Sequence, residues 1–280
     1  MVMRRSVLFL LFLISVRFLS AQEEQPVNLI YQSVMMGVGK TSVYDTYLSP
    51  LNYDGNSFGM MLEQSKMTGI MNGKVAVQHL LNLDFSHSHN DTETASDYAG
   101  FIEYSYGLLY KFTPLKRTSL FAGMQANGML GFIYNSRNGN NPATGKVHLN
   151  ANLSAIVAHT VSIKSQPFRL RFQTSIPVAG ILFSPHYGQS YYEISLGDSD
   201  GLIDFASLHN HLSMRNLLSV EIPFNALTLR LAYRNNIYET DVNALQTRVH
   251  SNSFYIGFSK NFFSVPEKKI PKDNYKRVFE

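Results

Sequence analysis

The chain contains no cysteine and no tryptophan, and only 16% of its 280 residues are charged. The absence of cysteine excludes disulfide bonds, thiolate zinc sites, a cysteine nucleophile and a lipid anchor on cysteine. Soluble globular domains carry about 25% charged residues, so the low charge does not fit an ordinary soluble domain. The 16 tyrosines and 19 phenylalanines indicate instead a surface or envelope protein.

The first 21 residues have the features of an export signal. Two arginines precede an apolar run over residues 7–14, and Ser20 and Ala21 supply the small residues of a cleavage site. We predict a signal peptide over residues 1–21 with cleavage after Ala21. A retained transmembrane anchor is the alternative, but Arg17 interrupts the run before the ~20 apolar residues that a spanning helix needs.

The positive charge of the chain comes mainly from this segment. Removing residues 1–21 takes away three arginines and no acidic residue, so the formal net charge falls from +4 to +1. A nearly neutral mature chain has no general attraction for nucleic acid, and we expect no nucleic-acid partner.

Beyond residue 21, long segments alternate between apolar and polar residues. In one of them Ile102, Tyr104 and Tyr106 alternate with Glu103 and Ser105. A period of two places different chemistries on the two faces of a β-strand. The segments extend over about 10 to 18 residues, more than the ~5–6 typical of soluble strands and enough to cross a bilayer when tilted. We therefore expect apolar side chains to face lipid and polar ones to face a lumen.

The fold class that these segments predict is all-β: a transmembrane, antiparallel, up-and-down β-barrel of ten strands over residues 22–263, with short periplasmic turns and long extracellular loops. An even strand number returns both termini to the periplasm. The strands are predicted near residues 29–40, 57–67, 74–87, 98–112, 118–134, 147–164, 168–176, 210–222, 227–238 and 248–263. The long loops are predicted at 41–56, 88–97, 135–146, 177–209 and 239–247.

Three points of this architecture have alternatives. Twelve strands result if the link 177–209 contains another hairpin. A soluble secreted β-protein also shows an apolar and a polar strand face. The segment 264–280 is rich in lysine and proline, and we predict a solvated periplasmic tail, with docking onto a partner as the alternative.

Charged residues at lumen-facing positions form a candidate site. Arginines on neighbouring strands outnumber the carboxylates, and guanidinium groups suit anionic solutes. A ten-stranded barrel is narrow, however, so paired charges are expected to fill and stiffen the lumen, and no wide pore is expected. The predicted lumen charge cluster comprises Arg169, Arg171, Arg215, Arg230, Arg234, Glu63, Glu103 and Glu221.

Catalysis is a weaker hypothesis, and we predict no catalytic residues, no metal site and no cofactor. Outer-membrane lipid hydrolases place a histidine and a serine two positions apart on one strand, and His211 and Ser213 have this spacing, with Asn216 to orient the ring. Their parity points them toward the lumen, whereas such enzymes present the pair to lipid. A phospholipase or lipid A deacylase activity stays an alternative to a structural, scaffold or narrow transport role.

Two sequence blocks carry a resemblance to a known family. The block from Asp45 to Leu51, followed by Tyr53 and Gly55, and the block from Phe183 to Glu193 resemble an uncharacterised family of Bacteroidota outer-membrane β-barrels of unknown function. The resemblance implies a barrel in the outer membrane and no catalytic residue. The expected partners are outer-membrane lipid and lipopolysaccharide, the barrel-assembly machinery during insertion, and another envelope protein.

Overall fold

The computed structural model describes residues 27–164, 166–224, 227–262 and 275–279. Ten long antiparallel strands form a closed ring, because the last of them pairs with the first. The predicted ten-stranded antiparallel barrel is therefore confirmed. In ring order the strands are β2 (Ile30–Asp45), β3 (Ser49–Met67), β4 (Val75–His89), β5 (Ser96–Leu115), β6 (Thr118–Asn135), β7 (Ala143–Ile163), β8 (Gln166–Phe183), β10 (His211–Phe224), β11 (Leu227–Val242) and β12 (Leu245–Phe262).

Four short elements complete the described part of the chain. The strand β1 (Val27–Asn28) pairs in parallel with β13 (Tyr275–Lys276). The link between β8 and β10 contains the helix α1 (Tyr191–Ser195) and the strand β9 (Ile203–Ala206), which pairs with the end of β8. This link does not add a hairpin to the barrel, so the alternative of twelve strands is wrong. Within the described residues, no helix is long and apolar enough to cross a membrane.

The two ends of the barrel differ in their connections. The turn end carries the connections 68–74, 116–117, 164–165 and 225–226, and the loop end carries 46–48, 90–95, 136–142, 184–210 and 243–244. The loop predicted at 177–209 is present as the link 184–210, and those predicted at 88–97 and 135–146 are present but shorter, at 90–95 and 136–142. The segments predicted as loops at 41–56 and 239–247 are mostly strand. The strands continue past the apolar segments as polar hairpins, because backbone hydrogen bonds between strands do not require apolar side chains.

The barrel wall is apolar outside and polar inside. Side chains of the outer surface include Val38 and Phe254, which are 66% and 71% exposed, whereas Asn82 and Asn127 point inward with 0% exposure. This confirms the orientation predicted from the alternation. It is the reverse of a soluble β-protein, in which the apolar face forms the core.

The C-terminal residues lie inside the turn end. Val278 and Phe279 are buried, and the ring of Phe279 packs edge-on against Tyr31 at 5.0 Å between centroids. The expectation of a solvated tail was wrong for these residues, because buried apolar side chains at the turn end offer them a binding site that the linear sequence does not reveal. These side chains are Tyr31, Met67, Ala76, Leu109, Phe121, Ile156 and Ala158. The predicted signal peptide and residues 263–274 lie outside the described residues.

Candidate functional site: the filled lumen

The turn-end layer of the lumen is built around the carboxylate of Glu63 on β3. Its Oε1 lies 2.5 Å from Nη2 of Arg171 on β8, and its Oε2 lies 2.7 Å from Nη1 of Arg230 on β11. All three side chains are completely buried. One carboxylate thus joins two strands that are not neighbours of β3, and its negative charge is shared between two guanidinium groups.

A second carboxylate extends this layer. Glu221 on β10 accepts a hydrogen bond from the Tyr31 hydroxyl, and its Oε2 lies 3.1 Å from Nη1 of Arg169. Its Oε1 is also 3.8 Å from Nε of Arg230. The guanidinium of Arg171 lies 4.1 Å from the ring centroid of Phe279, a geometry suited to cation–π attraction. The C-terminal segment is therefore in direct contact with the ion-pair network.

Neutral amides link this layer to the middle of the lumen. The Nε2 group of Gln78 donates to Glu63 Oε1 at 2.8 Å, and its Oε1 accepts from Gln173 at 2.9 Å and from Gln125 at 3.1 Å. Four strands contribute to this chain of hydrogen bonds, which crosses the barrel interior. Such connected networks hold buried polar groups in one arrangement.

Two further ion pairs occupy the middle of the lumen. Arg234 pairs with Asp84 and lies over the ring of Tyr255, 4.9 Å from its centroid. Arg215 pairs with Glu103, which also accepts a hydrogen bond from Asn127 at 2.7 Å.

The loop-end layer contains one ion pair, the buried carboxylate of Asp97, which accepts a hydrogen bond from Asn135 at 2.6 Å, and a group of aromatic rings. Nζ of Lys146 lies 2.5 Å from Oδ2 of Asp45. The imidazoles of His148 and His211 have centroids 5.0 Å apart, and the ring of Tyr238 packs against both. This layer contains fewer charged side chains than the turn-end layer.

The link 184–210 covers the loop end. The Tyr47 hydroxyl donates to the backbone oxygen of Gln189 at 2.9 Å, and the Tyr191 hydroxyl accepts from the backbone N–H of Gly145 at 2.5 Å. Partial burial in this contact raises the pKa of Tyr47 to about 12, so its hydroxyl remains a donor at neutral pH. Hydrogen bonds from Ser190 start α1 as a capping box and lower the pKa of Glu193.

The structure places all eight residues of the predicted charge cluster inside the barrel and assigns each a partner, as described above. Sequence reasoning missed the carboxylates of Asp84, Asp45 and Asp97 and the ammonium of Lys146. Asp84 is separated from Gln78 and Asn82 by an even number of residues, so it lies on the same polar face of the strand. This spacing could have identified it as a lumen residue. Asp45, Asp97 and Lys146 were missed because their segments were assigned to loops. With these residues the charges are nearly balanced, and the apparent excess of arginine disappears.

The alternative catalytic residues are not brought together. His211 is buried, its Nδ1 lies 3.1 Å from the backbone oxygen of Glu239, and its Nε2 lies 2.9 Å from Nδ2 of Asn150. Both ring nitrogens are thus occupied by groups other than Ser213. Asn216 has the opposite parity and bonds on the outer wall to Thr174 at 2.8 Å, so it cannot orient the His211 ring. Among the described residues, no group of three or more potential ligands is arranged for a metal ion.

A closed ten-stranded barrel with an apolar outer wall and a charge-filled lumen defines the structural class of this chain. The chain belongs to the family DUF3316, described as a protein family of unknown function, whose model matches residues 6–269. A Bacteroidota origin stays a prediction. No curated protein matches the sequence.

Several solved barrels are similar in fold. The transport unit of the autotransporter AIDA-I from Escherichia coli is 11% identical, with a TM-score of 0.43, and the match covers 90% of this chain and 94% of that one. The outer membrane protease OmpT from Escherichia coli is 9% identical, with a TM-score of 0.48 and coverages of 87% and 99%. The translocator domain of NalP from Neisseria meningitidis is 10% identical, with a TM-score of 0.41 and coverages of 86% and 90%.

Proposed function

We propose that this chain is an integral outer-membrane barrel that is closed to solutes and acts as a structural or scaffold component. The main support is the complete burial of Glu63, Arg171 and Arg230 in the lumen. A water-filled channel would expose these side chains to solvent. The C-terminal residues at the turn end and the link 184–210 at the loop end cover the lumen further. These features favour a scaffold over the narrow transport role that the sequence left open.

Membrane insertion is supported by the chemistry of the outer wall. The strands carry exposed apolar residues, and tyrosines such as Tyr98, Tyr106 and Tyr134 lie on the outer surface, as in the aromatic girdles of membrane barrels. The same proposal includes export by a cleaved signal peptide and insertion by the barrel-assembly machinery. It also includes contact of the outer wall with lipopolysaccharide and binding of another envelope protein. Fractionation should place the mature chain, beginning at Gln22, with the outer membrane, and recovery from the aqueous periplasm would contradict the proposal.

Planar-bilayer conductance tests the closed state. The purified full chain should remain at baseline current. A variant that removes the connected ion group, Glu63→Ala with Arg171→Ala and Arg230→Ala, should open measurable conductance because three long side chains leave the lumen together. Gln32→Ala, on the outer surface of β2, is the matched control and should also remain at baseline. Steady channel currents from the unmodified chain would favour transport over a scaffold.

A further inference from the structure

The outer wall carries a polar groove near the loop end. It has a volume of about 420 Å³, and the strands β2, β3 and β12 form it. The groove belongs to the exterior and is separate from the lumen. Its lining residues are Lys40, Thr41, Ser42, Asp54, Gly55, His250 and Asn252.

A histidine with a bound carboxylate lies in this groove. Nε2 of His250 is 2.7 Å from Oε1 of Glu239 on the adjacent strand β11, and the two side chains are 43% and 39% exposed. A carboxylate on one ring nitrogen holds the proton there and directs the lone pair of the other nitrogen outward. Nδ1 of His250 is therefore the nitrogen available as a base.

A serine lies on the other side of this histidine. Ser42 is the direct partner of His250 in the pairing of β2 with β12, and both side chains face outward and line the groove. Directly opposed residues have Cβ atoms about 4.5–5.5 Å apart, which brings a serine hydroxyl within reach of an imidazole. Within the described residues, the Ser42 hydroxyl makes no hydrogen bond, to His250 or to any other group, and is free to turn toward Nδ1. Serine, histidine and carboxylate thus follow one another across three adjacent strands.

Two hydrogen-bond donors face the same groove. Oδ1 of Asn252 accepts from the Tyr233 hydroxyl at 2.7 Å and from Nδ2 of Asn235 at 3.0 Å. These two bonds fix the orientation of the Asn252 amide and leave its NH₂ group to donate. The ammonium of Lys40, held by Asn56 Oδ1 at 2.8 Å, is a second donor. Such donors can stabilise the oxyanion of an acyl-transfer reaction.

The groove lies at the boundary of the apolar wall. Two positions further toward the turn end, the outward side chains become apolar and exposed, with Val38 on β2, Phe254 on β12 and Phe58 on β3. In the direction of the loop end, the outward positions include Asn52 on β3 and Arg248 and Gln246 on β12. In a barrel embedded in a bilayer, this boundary coincides with the interface between headgroups and hydrocarbon. The ester bonds of lipids lie at that interface.

We propose that Ser42, His250 and Glu239 form the catalytic centre of an acyl-ester hydrolase that acts on lipids of the leaflet at the loop end. Ser42 and His250 are the catalytic residues, and Glu239 is a positioning residue. The proposal rests on the membrane insertion proposed above but not on the closed lumen. It differs from the histidine and serine pair at positions 211 and 213, which the structure places inside the barrel.

The reaction uses only the lipid and water. Ser42 Oγ attacks the ester carbonyl carbon while His250 Nδ1 takes the hydroxyl proton, and Asn252 and Lys40 donate to the oxyanion. Collapse breaks the bond to the lipid alcohol, which leaves with the proton from His250, and the acyl group stays on Ser42. A water molecule then gives a proton to His250 and attacks the acyl-serine. Breakdown of that intermediate releases the fatty acid and returns the proton to Ser42.

A second outward serine and histidine provide the matched control. Oγ of Ser96 lies 3.0 Å from Nδ1 of His89, but within the described residues this histidine has no hydrogen bond to a carboxylate. The Ser96→Ala variant therefore removes a serine from a similar wall position without touching the proposed centre. It should leave every measurement described below unchanged.

Covalent labelling tests the nucleophile without knowledge of the natural lipid. The purified full chain in detergent is treated with a fluorophosphonate probe, and the modified peptide is identified by mass spectrometry. Labelling should occur at Ser42, disappear in Ser42→Ala and fall at least 100-fold in His250→Gln. Heat-modifiable migration on gels verifies that each variant is folded. No labelling of the folded chain, or labelling of another serine, would overturn the proposal.

Acyl release identifies the lipid class and tests Glu239. Vesicles of phospholipid and aggregates of lipopolysaccharide are supplied separately, and free fatty acid is measured. Glu239→Gln should lower kcat about 10- to 100-fold at unchanged KM, and Glu239→Asp should restore part of the loss, which a merely structural role would not produce. Release from either lipid that depends on Ser42 supports the centre, and release that persists in Ser42→Ala contradicts it. Baseline conductance of the same preparation is a separate readout, so failure of the hydrolase does not affect the closed barrel.

Discussion

The turn-end and loop-end layers both fill the lumen, but they do so with different kinds of side chains. At the turn end, two carboxylates and three guanidinium groups share one network, and Phe279 packs on its surface. At the loop end, a single pair between Lys146 and Asp45 lies beside the aromatic rings of His148, His211 and Tyr238. Removing the Glu63 charge should therefore have a larger effect, because two fully buried guanidinium groups depend on it and only Arg230 keeps a second carboxylate, Glu221, at 3.8 Å.

The burial of the two layers leads to the same expectation. The side chains of Glu63, Arg171 and Arg230 are completely buried, whereas that of Lys146 retains 8% exposure. A lysine has a long flexible stem and can move its ammonium toward water. An arginine that is enclosed in the barrel interior cannot do so. The turn-end layer is thus the more rigid part of the lumen.

The largest effect is expected for Glu63→Gln. The amide retains the shape of the side chain but leaves Arg171 and Arg230 without their shared carboxylate, and breaking a buried pair in this way costs about 3–5 kcal/mol. Urea unfolding of the protein in detergent, followed by circular dichroism, measures the change in the free energy of unfolding. Asp54→Asn, an exposed position on the same strand, is the control. A loss below about 1 kcal/mol would remove the distinction between the two layers.

A smaller and more local effect is expected for Phe279→Ala. The ring contacts Tyr31, Phe121 and Arg171, and loss of a buried phenylalanine side chain costs about 3 kcal/mol. Because the ring belongs to the tail and not to a barrel strand, the readout is limited proteolysis of the C terminus. We expect cleavage to become faster, with little change in global unfolding. Phe112→Ala, an exposed ring on the outer wall, should not change the cleavage rate, and equal rates in all three proteins would show that Phe279 does not anchor the tail.

Much of the fold follows from the sequence because one physical rule, the alternation of side chains along a strand, reveals the long strands and which of their faces points outward. This parity places Arg169, Arg171 and Arg230 in the lumen correctly. It does not predict that Glu63 binds the last two, because the contacts join residues 108 and 167 positions apart and depend on how the strands are staggered around the ring.

The same limitation applies to the ends of the chain and to the outer wall. The lysine and proline content of the tail obscured two apolar residues, Val278 and Phe279, whose partners come from several strands. The pairing of Ser42 with His250 is also invisible in the linear sequence, because it arises only when β12 closes the ring against β2. Local sequence patterns cannot predict the contacts that form only when the barrel closes.

The smallest effect is expected for Asp45→Asn in the loop-end layer. Asp45 accepts hydrogen bonds from Thr247 at 2.9 Å and from the backbone of Tyr47 at 3.0 Å, and an amide oxygen can keep part of these contacts. Lys146 also donates to Thr247 at 2.8 Å and can turn toward water. We therefore expect a loss of about 1–2 kcal/mol, measured by the same urea unfolding as for Glu63→Gln. A loss equal to that of Glu63→Gln would mean that the loop end is as tightly enclosed as the turn end, and that the link 184–210 excludes water from the lumen as completely as the C-terminal segment does.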